Sequence, residues 1–217
     1  MIPPAFDYIA PQSLDEAVRA LAAHGEEAKL LAGGHSLLPL LKLRLANPKL
    51  LIDLSKIPGL SNISQQDDKI VVGALTTHYQ IESSALLKTK CPLLPQTARA
   101  IGDVQVRNRG TIGGSLAHAD PSADWPAAIL ALGGELKLSG PKRRATNRGR
   151  RILSRDHDYS GRANRDFDGD PCTCVTAALR QRSTSRWLSR PPASPSSVWP
   201  YGSELLKTVA VRISVSA

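Results

Sequence analysis

Two glycine-rich segments contain the residues whose types and spacing could bind a ligand. The first, residues 31–36, reads LAGGHS, and the second, residues 111–116, reads TIGGSL. Paired glycines let the backbone turn sharply and approach a ligand with no Cβ in the way. Successive amide groups in such a turn, or at the start of a helix, form a positive concavity that suits a phosphate. The two loops together predict a site that grips a diphosphate from both sides.

Neither loop is specific by itself. Neither matches GxGxxG or GxxxxGK(S/T), so the sequence does not support a Rossmann or P-loop nucleotide site. A single Gly-Gly pair after a strand is more often a plain turn than a ligand loop. Gly133 and Gly134 fit that simpler interpretation, as a helix-to-strand connection.

No metal site is predicted. Cys172 and Cys174 are separated by one residue, where a zinc site needs two or more, and Cys91 stands alone. The histidines at positions 35, 78 and 118 have no second histidine at ligand spacing. We expect no membrane span and no secretory signal, and a cytoplasmic location follows as the default.

Residues 1–140 show the pattern of a domain with alternating helices and strands. Ser13 to Glu16 form a predicted capping box, which starts a helix with apolar residues on one face and Gly25 as its stop. The remaining predicted elements are strands at 29–31, 50–54, 70–75 and 135–138, and helices from near 36, at 93–101 and at 124–132.

Charge divides the chain at about residue 140. The net charge is +9, yet residues 1–140 hold 13 basic and 13 acidic side chains, while residues 141–217 hold 15 and 6. Arginine accounts for 13 of those last 77 residues and serine for 11. This composition is typical either of a disordered basic tail or of translation outside the proper frame.

The amino-acid sequence around both loops resembles that of a known family. KLLAGGHSLLPLLKLRL and RNRGTIGGSLAHADPSAD resemble the two flavin-binding motifs of the medium subunit of molybdenum hydroxylases, of the carbon monoxide/xanthine dehydrogenase type. FDYIAPQSLDEAV, LIDLSKIPGL, VGALTTHYQIE and ARAIGDVQVRNRG extend the resemblance over residues 1–140. It implies an α+β fold: a two-lobed FAD-binding domain of the vanillyl-alcohol oxidase and murein reductase type, truncated, with lobes at about 1–55 and 56–140. Residues 141–217 would be an aberrant, poorly ordered tail.

The resemblance also implies roles for individual residues. The first loop would wrap the diphosphate of FAD chiefly through backbone amides, and the second would form the opposite wall. Asp124 would contact the adenosine part, and Ile101 the adenine. The implied cofactor-binding residues are Ala32, Gly33, Gly34, His35, Ser36, Ile101, Thr111, Ile112, Gly113, Gly114, Ser115 and Asp124.

Simpler interpretations stand beside three of these features. Asp124 could cap the helix that follows it, and both roles could hold together. Arg107 and Arg109 lie beside the second loop and could attract phosphate, although solvated surface charge is the commoner state. The family normally holds its flavin noncovalently, so no bond to His35 is expected.

The function implied is electron transfer by an oxidoreductase flavoprotein that is active only within a complex. A large subunit carrying the molybdenum cofactor would oxidise the substrate, and a small subunit carrying 2Fe–2S clusters would relay electrons to FAD and on to a quinone, NAD or another acceptor. No side chain is predicted to be catalytic. Three alternatives remain: a nonfunctional frameshifted product, a nucleic-acid-binding protein that uses the basic tail, and a free-standing flavin oxidase.

The composition of the last third leads to a frameshift hypothesis. Reverse-translating residues 155–171 (RDHDYSGRANRDFDGDP) with permitted codons, and reading from one nucleotide later, allows GTMTTAVEPTEILMAI, which resembles the family. Residues 211–215 resemble a family strand in the existing frame. The frame would be lost between residues 141 and 155 and regained late.

We therefore predict that the gene, read one nucleotide later over residues 155–171, encodes a better family match than the existing frame does. Sequencing the gene tests this directly. An intact reading frame, with no improved match one nucleotide later, contradicts the hypothesis.

Overall fold

The computed structural model describes residues 2–120 and 122–140, together with the backbone of three strands at 144–148, 177–180 and 213–216. This part of the chain forms two sheets with helices packed on them. The first sheet and its helices comprise β1 (Asp7–Ile9), α1 (Leu14–His24), β2 (Ala28–Leu31), α2 (Leu37–Lys42) and β3 (Leu50–Asp53). Its three strands are parallel, in the order β1-β3-β2.

Helix α1 begins and ends where the sequence predicts. The Ser13 hydroxyl accepts a hydrogen bond from the amide of Glu16 at 3.2 Å. The Glu16 carboxylate accepts from the amide of Gln12 at 3.1 Å, so the reciprocal bond of the capping box is displaced by one residue. The helix ends at Gly25, whose φ of +52° favours glycine.

The central strand of the first sheet, β3, is buried on both faces, whereas β1 at the edge is exposed. Leu50 and Ile52 of β3 belong to the main core with Leu21 of α1. The alternate residue, Leu51, points to the other face and packs with Leu37 and Leu41 of α2. This alternation is the period of two that a strand imposes, and it explains why 50–54 reads as a continuous apolar run.

The second sheet contains six strands in the order β4-β5-β8-β9-β6-β7. All of its pairings are antiparallel except the β8–β9 pair. The strands are β4 (Ile63–Gln66), β5 (Lys69–Val72), β6 (Glu135–Ser139), β7 (Arg144–Arg148), β8 (Ala177–Arg180) and β9 (Ile213–Ser216). The mixed helix-and-strand class that the sequence predicts is therefore confirmed.

Three strands of this sheet come from a region that the sequence predicts to be poorly ordered. β7 pairs with β6 over five residues, and β9 pairs with both β5 and β6. Strand pairing needs only backbone N–H and C=O groups, which basic residues supply as well as apolar ones. For the rest of 141–217, the poorly ordered tail stays a prediction. The frameshift hypothesis for 155–171 concerns residues outside the described part.

Six helices lie between β5 and β6 and carry half of the candidate site. The sequence predicts two of them, α5 and α8, but not the four short ones. Their bounds are α3 (His78–Ser83), α4 (Ala85–Lys90), α5 (Leu93–Ala100), α6 (Val104–Arg109), α7 (Ile112–His118) and α8 (Asp124–Ala131). Helices of six or seven residues are too short to show a helical period, and only N-caps such as Thr77 and Asp103 signal them.

Candidate functional site

The two glycine loops meet at one open cleft of about 310 Å³. The first loop leaves β2 and enters α2, while the second opens α7. The structure brings eleven of the twelve sequence-predicted residues to the walls of this cleft. They are Ala32, Gly33, Gly34, His35, Ser36, Ile101, Thr111, Gly113, Gly114, Ser115 and Asp124.

Ile112 is the exception. The sequence places it in the second wall, but its side chain is fully buried in the main core. Its amide donates to the carbonyl of Thr76 at 3.1 Å. Because the glycines on its C-terminal side face the cleft, the one large apolar residue of the loop points the other way and anchors it.

The first loop offers unpartnered amides. Among the described residues, none accepts a hydrogen bond from the amides of Gly33, Gly34, His35 or Ser36. The loop carbonyls are used instead, since Gly34 accepts from Leu38 at 2.9 Å. A row of free N–H groups beside a cleft gives the positive concavity that an anionic group requires.

The second loop does not mirror the first. The amide of Gly113 donates to the carbonyl of Ala74 at 2.9 Å, and the amide of Gly114 donates to the hydroxyl of Thr111 at 3.1 Å. The amide of Ser115 donates to the Thr111 carbonyl at 3.0 Å. In this conformation the amides of the second loop are already engaged by Ala74 and by Thr111 at the start of α7. The grip by amides from both sides therefore stays a prediction, and the bonds within the second loop do not favour it.

The glycines of the two loops are needed for close packing. A Cβ on Gly33 would meet the carbonyl oxygen of Arg109 and would lie 2.9 Å from Cα of Gly110. A Cβ on Gly113 would lie 2.7 Å from the carbonyl oxygen of Ala74. Real Cβ atoms do not approach other atoms this closely, so both positions require a residue without a side chain.

The charged residues near the cleft differ in their surroundings. Asp124 is exposed, and the N-cap of α8 is Ala123, which forms no side-chain capping bond; the capping interpretation of Asp124 is therefore wrong. Arg109 is exposed, as the sequence suggests. Arg107 is not, since its side chain is 19% exposed and forms an ion pair with Glu82.

A buried histidine–tryptophan pair forms part of the cleft wall, and the sequence gives no sign of it. Trp125 Nε1 donates to His78 Nδ1 at 3.2 Å, and both side chains are buried. Burial is the main cause, and the nearby His35 a smaller one, of a pKa of about 4 for His78, below the ordinary value. The neutral ring accepts the tryptophan hydrogen bond, while the backbone amide of His78 donates to Gly110 at 3.0 Å.

The described residues offer neither a metal site nor a membrane span. No group of three or more histidine, cysteine, aspartate or glutamate side chains converges on a metal-sized site there. No described helix combines the length and apolar character needed to cross a bilayer.

Residues 4–151 match the family described as the FAD binding domain in molybdopterin dehydrogenase. This match covers more than half of the chain, and the chain therefore belongs to that family.

Individual relatives agree with the family match. The chain is 49% identical over 146 residues to the carbon monoxide dehydrogenase medium chain of Hydrogenophaga pseudoflava, covering 67% of this chain and 51% of the relative. It is 48% identical over 132 residues to the 6-hydroxypseudooxynicotine dehydrogenase complex subunit alpha of Paenarthrobacter nicotinovorans, covering 61% and 45%. The chain spans about half the length of the curated relatives it matches.

Solved structures show the same similarity. A carbon monoxide dehydrogenase structure from Hydrogenophaga pseudoflava superimposes with a TM-score of 0.69 at 48% identity, covering 70% of this chain and 53% of that one. Quinoline 2-oxidoreductase from Pseudomonas putida 86 gives a TM-score of 0.68 at 38% identity, with coverage of 70% and 53%.

We predict that His78 makes stability depend on pH between 7 and 5. The unfolded ring binds a proton below about 6.5, whereas the folded ring resists protonation until about 4. The unfolding free energy should therefore fall as the pH drops, by about 2 kcal/mol between pH 7 and 5 from this group. Urea denaturation across that range measures it.

Two variants isolate the contribution. His78→Gln should remove this part of the pH dependence, while His24→Gln, on the exposed end of α1, should retain it. Identical pH slopes for wild type and His78→Gln would show that the buried ring does not titrate as described.

Proposed function

We propose that the chain binds FAD noncovalently in the cleft and acts as the flavin-carrying electron-transfer subunit of a molybdenum hydroxylase. The single observation that supports this most strongly is the row of free amides at residues 33–36, which faces the glycine wall of α7. The donor set suits a diphosphate, because four N–H groups lack partners among the described residues and no acidic side chain belongs to this loop.

The residues present fit such a cofactor. Gly33 and Gly34 leave the backbone accessible, and Thr111 and Ser115 place hydroxyl-bearing residues on the opposite wall. Ile101 and Asp124 also line the cleft, and we assign to them an apolar and a polar contact with the adenosine part. When bound, FAD would supply the redox chemistry, while the chain binds the cofactor, orients it and limits its contact with water.

The partners follow from the same proposal. The names of several relatives, such as medium chain and medium subunit, describe components of larger assemblies. We infer that a molybdenum-containing large subunit would pass electrons to a 2Fe–2S subunit. This chain would receive them from that subunit and would pass them to a quinone, NAD or another acceptor. No side chain of this chain need act as an acid or base, and the assembly would be cytoplasmic.

The proposal extends to the architecture. We assign the chain to the two-lobed type shared with vanillyl-alcohol oxidase and the murein reductase, with lobes at about 1–55 and 56–140 and a truncated second lobe. The separation into a parallel and a largely antiparallel sheet supports this assignment. The charge of the site does not favour nucleic-acid binding. Residues 1–140, which form the cleft, carry equal numbers of acidic and basic side chains, and the excess of basic residues lies in 141–217.

We expect the purified 217-residue chain to bind FAD, and Gly33→Ala to weaken that binding at least about tenfold, because a methyl group there forces the two loops apart. Titration of flavin fluorescence and visible absorbance measures the dissociation constant. Wild-type chain that stays colourless at saturating FAD would overturn the proposal.

Gly25→Ala is the matched control. Gly25 has a positive φ, which Gly33 does not, so alanine at position 25 costs roughly 1 kcal/mol of stability. It lies outside the cleft, and a Cβ at this position would have nothing within 4 Å. This variant should lose stability and keep wild-type affinity, which separates loss of the cleft from loss of the fold.

A further inference from the structure

Helix α6 connects two walls of the cleft. The segment before its N-terminus contains Ile101 and Gly102, which line the cleft together with Val106 of the helix itself. Its C-terminus leads into Gly110, which lies against Gly33 of the first loop. The position of α6 therefore sets the distance between the Ile101 wall and the loop with free amides.

Arg107 holds this helix and its preceding segment in place. Its Nη1 donates to the carbonyl of Ile101 at 3.0 Å and to the carbonyl of Gly102 at 3.0 Å. Its Nε lies 3.1 Å from Oε2 of Glu82 on α3. Both side chains of this ion pair are largely covered, with 19% and 27% exposure.

The two residues of this segment differ in their other contacts: Ile101 also packs against the main core and its amide donates to the carbonyl of Ala98 at 3.3 Å, whereas Gly102 has few neighbours. A Cβ on Gly102 would have only Val106 in reach, at 3.9 Å, so open space surrounds that backbone. Asp103 caps α6 through the amide of Val106 at 2.9 Å, but that bond orders the helix rather than the wall. The two carbonyl bonds from one guanidinium nitrogen act on the backbone of the wall itself, and they are the polar side-chain contacts of Ile101 and Gly102 in the described part of the chain.

We propose that Arg107 is a positioning residue of the cleft, which sets the Ile101–Gly102 wall through two carbonyl hydrogen bonds while Glu82 anchors its charge. This inference rests on the proposed function. Arg107 does not itself bind the diphosphate, because it lies outside the cleft lining, its Nη1 is engaged by two carbonyls and Glu82 balances its charge. It acts through the backbone that it holds.

Lysine cannot replace arginine in this role. A single ammonium group keeps the charge that pairs with Glu82, but it cannot reach Glu82 and both carbonyls together, as the fork of the guanidinium does. We expect Arg107→Lys and Arg107→Met each to raise the dissociation constant for FAD about tenfold in the full chain. Glu82→Gln keeps an acceptor for Nε and should change it less.

Two controls separate positioning from general destabilisation. Arg99→Met removes an exposed arginine from the neighbouring helix α5, outside the cleft, and should leave FAD affinity unchanged. Gly25→Ala lowers stability elsewhere and should also leave it unchanged. All titrations are run at a temperature where denaturation curves show every variant fully folded.

Hydrogen exchange of the FAD-free chain gives a second measurement that does not depend on cofactor. Without the Arg107 bonds, the amide of Ile101, which donates to the carbonyl of Ala98, should exchange about tenfold faster, while the amides of β3 should not change. If wild type binds FAD and the Arg107 variants match it in both affinity and exchange, the inference is wrong and the proposed function survives. If wild type fails to bind FAD, the proposed function is wrong, and the exchange result still shows whether Arg107 orders the wall.

Discussion

Close backbone contact between the first glycine loop and the residues that lead into the second is the constraint on which the site depends. Gly33 lies so close to Arg109 and Gly110 that no side chain fits between them, and Gly113 approaches Ala74 in the same way. These approaches bring the end of the parallel sheet beside the start of α7, although the two segments are far apart in the chain. A cleft lined by both loops follows from that contact.

The two loops differ in how their backbone amides are used. Helix α7 uses the amides of the second loop for its own cap and for bonds to Ala74 and Thr76, so this loop is a rigid wall. The first loop keeps its amides free beside that wall. Helix α3 connects the segments around the cleft. His78 of this helix bonds to Gly110 and Trp125, and Glu82 forms an ion pair with Arg107. Rigidity on one side and unpartnered donors on the other is an arrangement suited to holding an anionic cofactor without first reorganising.

Much of this could be predicted from the sequence. The helix that begins after Ser13, the apolar strand β3 and both glycine loops could be predicted from capping residues, periodicity and local sequence motifs. Eleven of the twelve predicted site residues line the cleft. The asymmetry of the loops could not be predicted, because it depends on which carbonyls lie near Gly113 after folding. The roles of His78 and Arg107 could not be predicted either, because they depend on contacts made only after folding. Their partners Trp125 and Glu82 lie 47 and 25 positions away in the chain, and such pairings leave no periodic signal.

Binding of the FAD diphosphate by the free amides of one loop, supported by the closed second loop, is the central claim. Backbone amide NMR of the full chain titrated with FAD tests it most directly. We predict large, saturable shifts for the amides of Gly33, Gly34, His35 and Ser36, and smaller shifts for residues 112–115, whose N–H groups keep their internal partners. Saturable shifts confined to the second loop, or no saturable shift at residues 33–36, would contradict it.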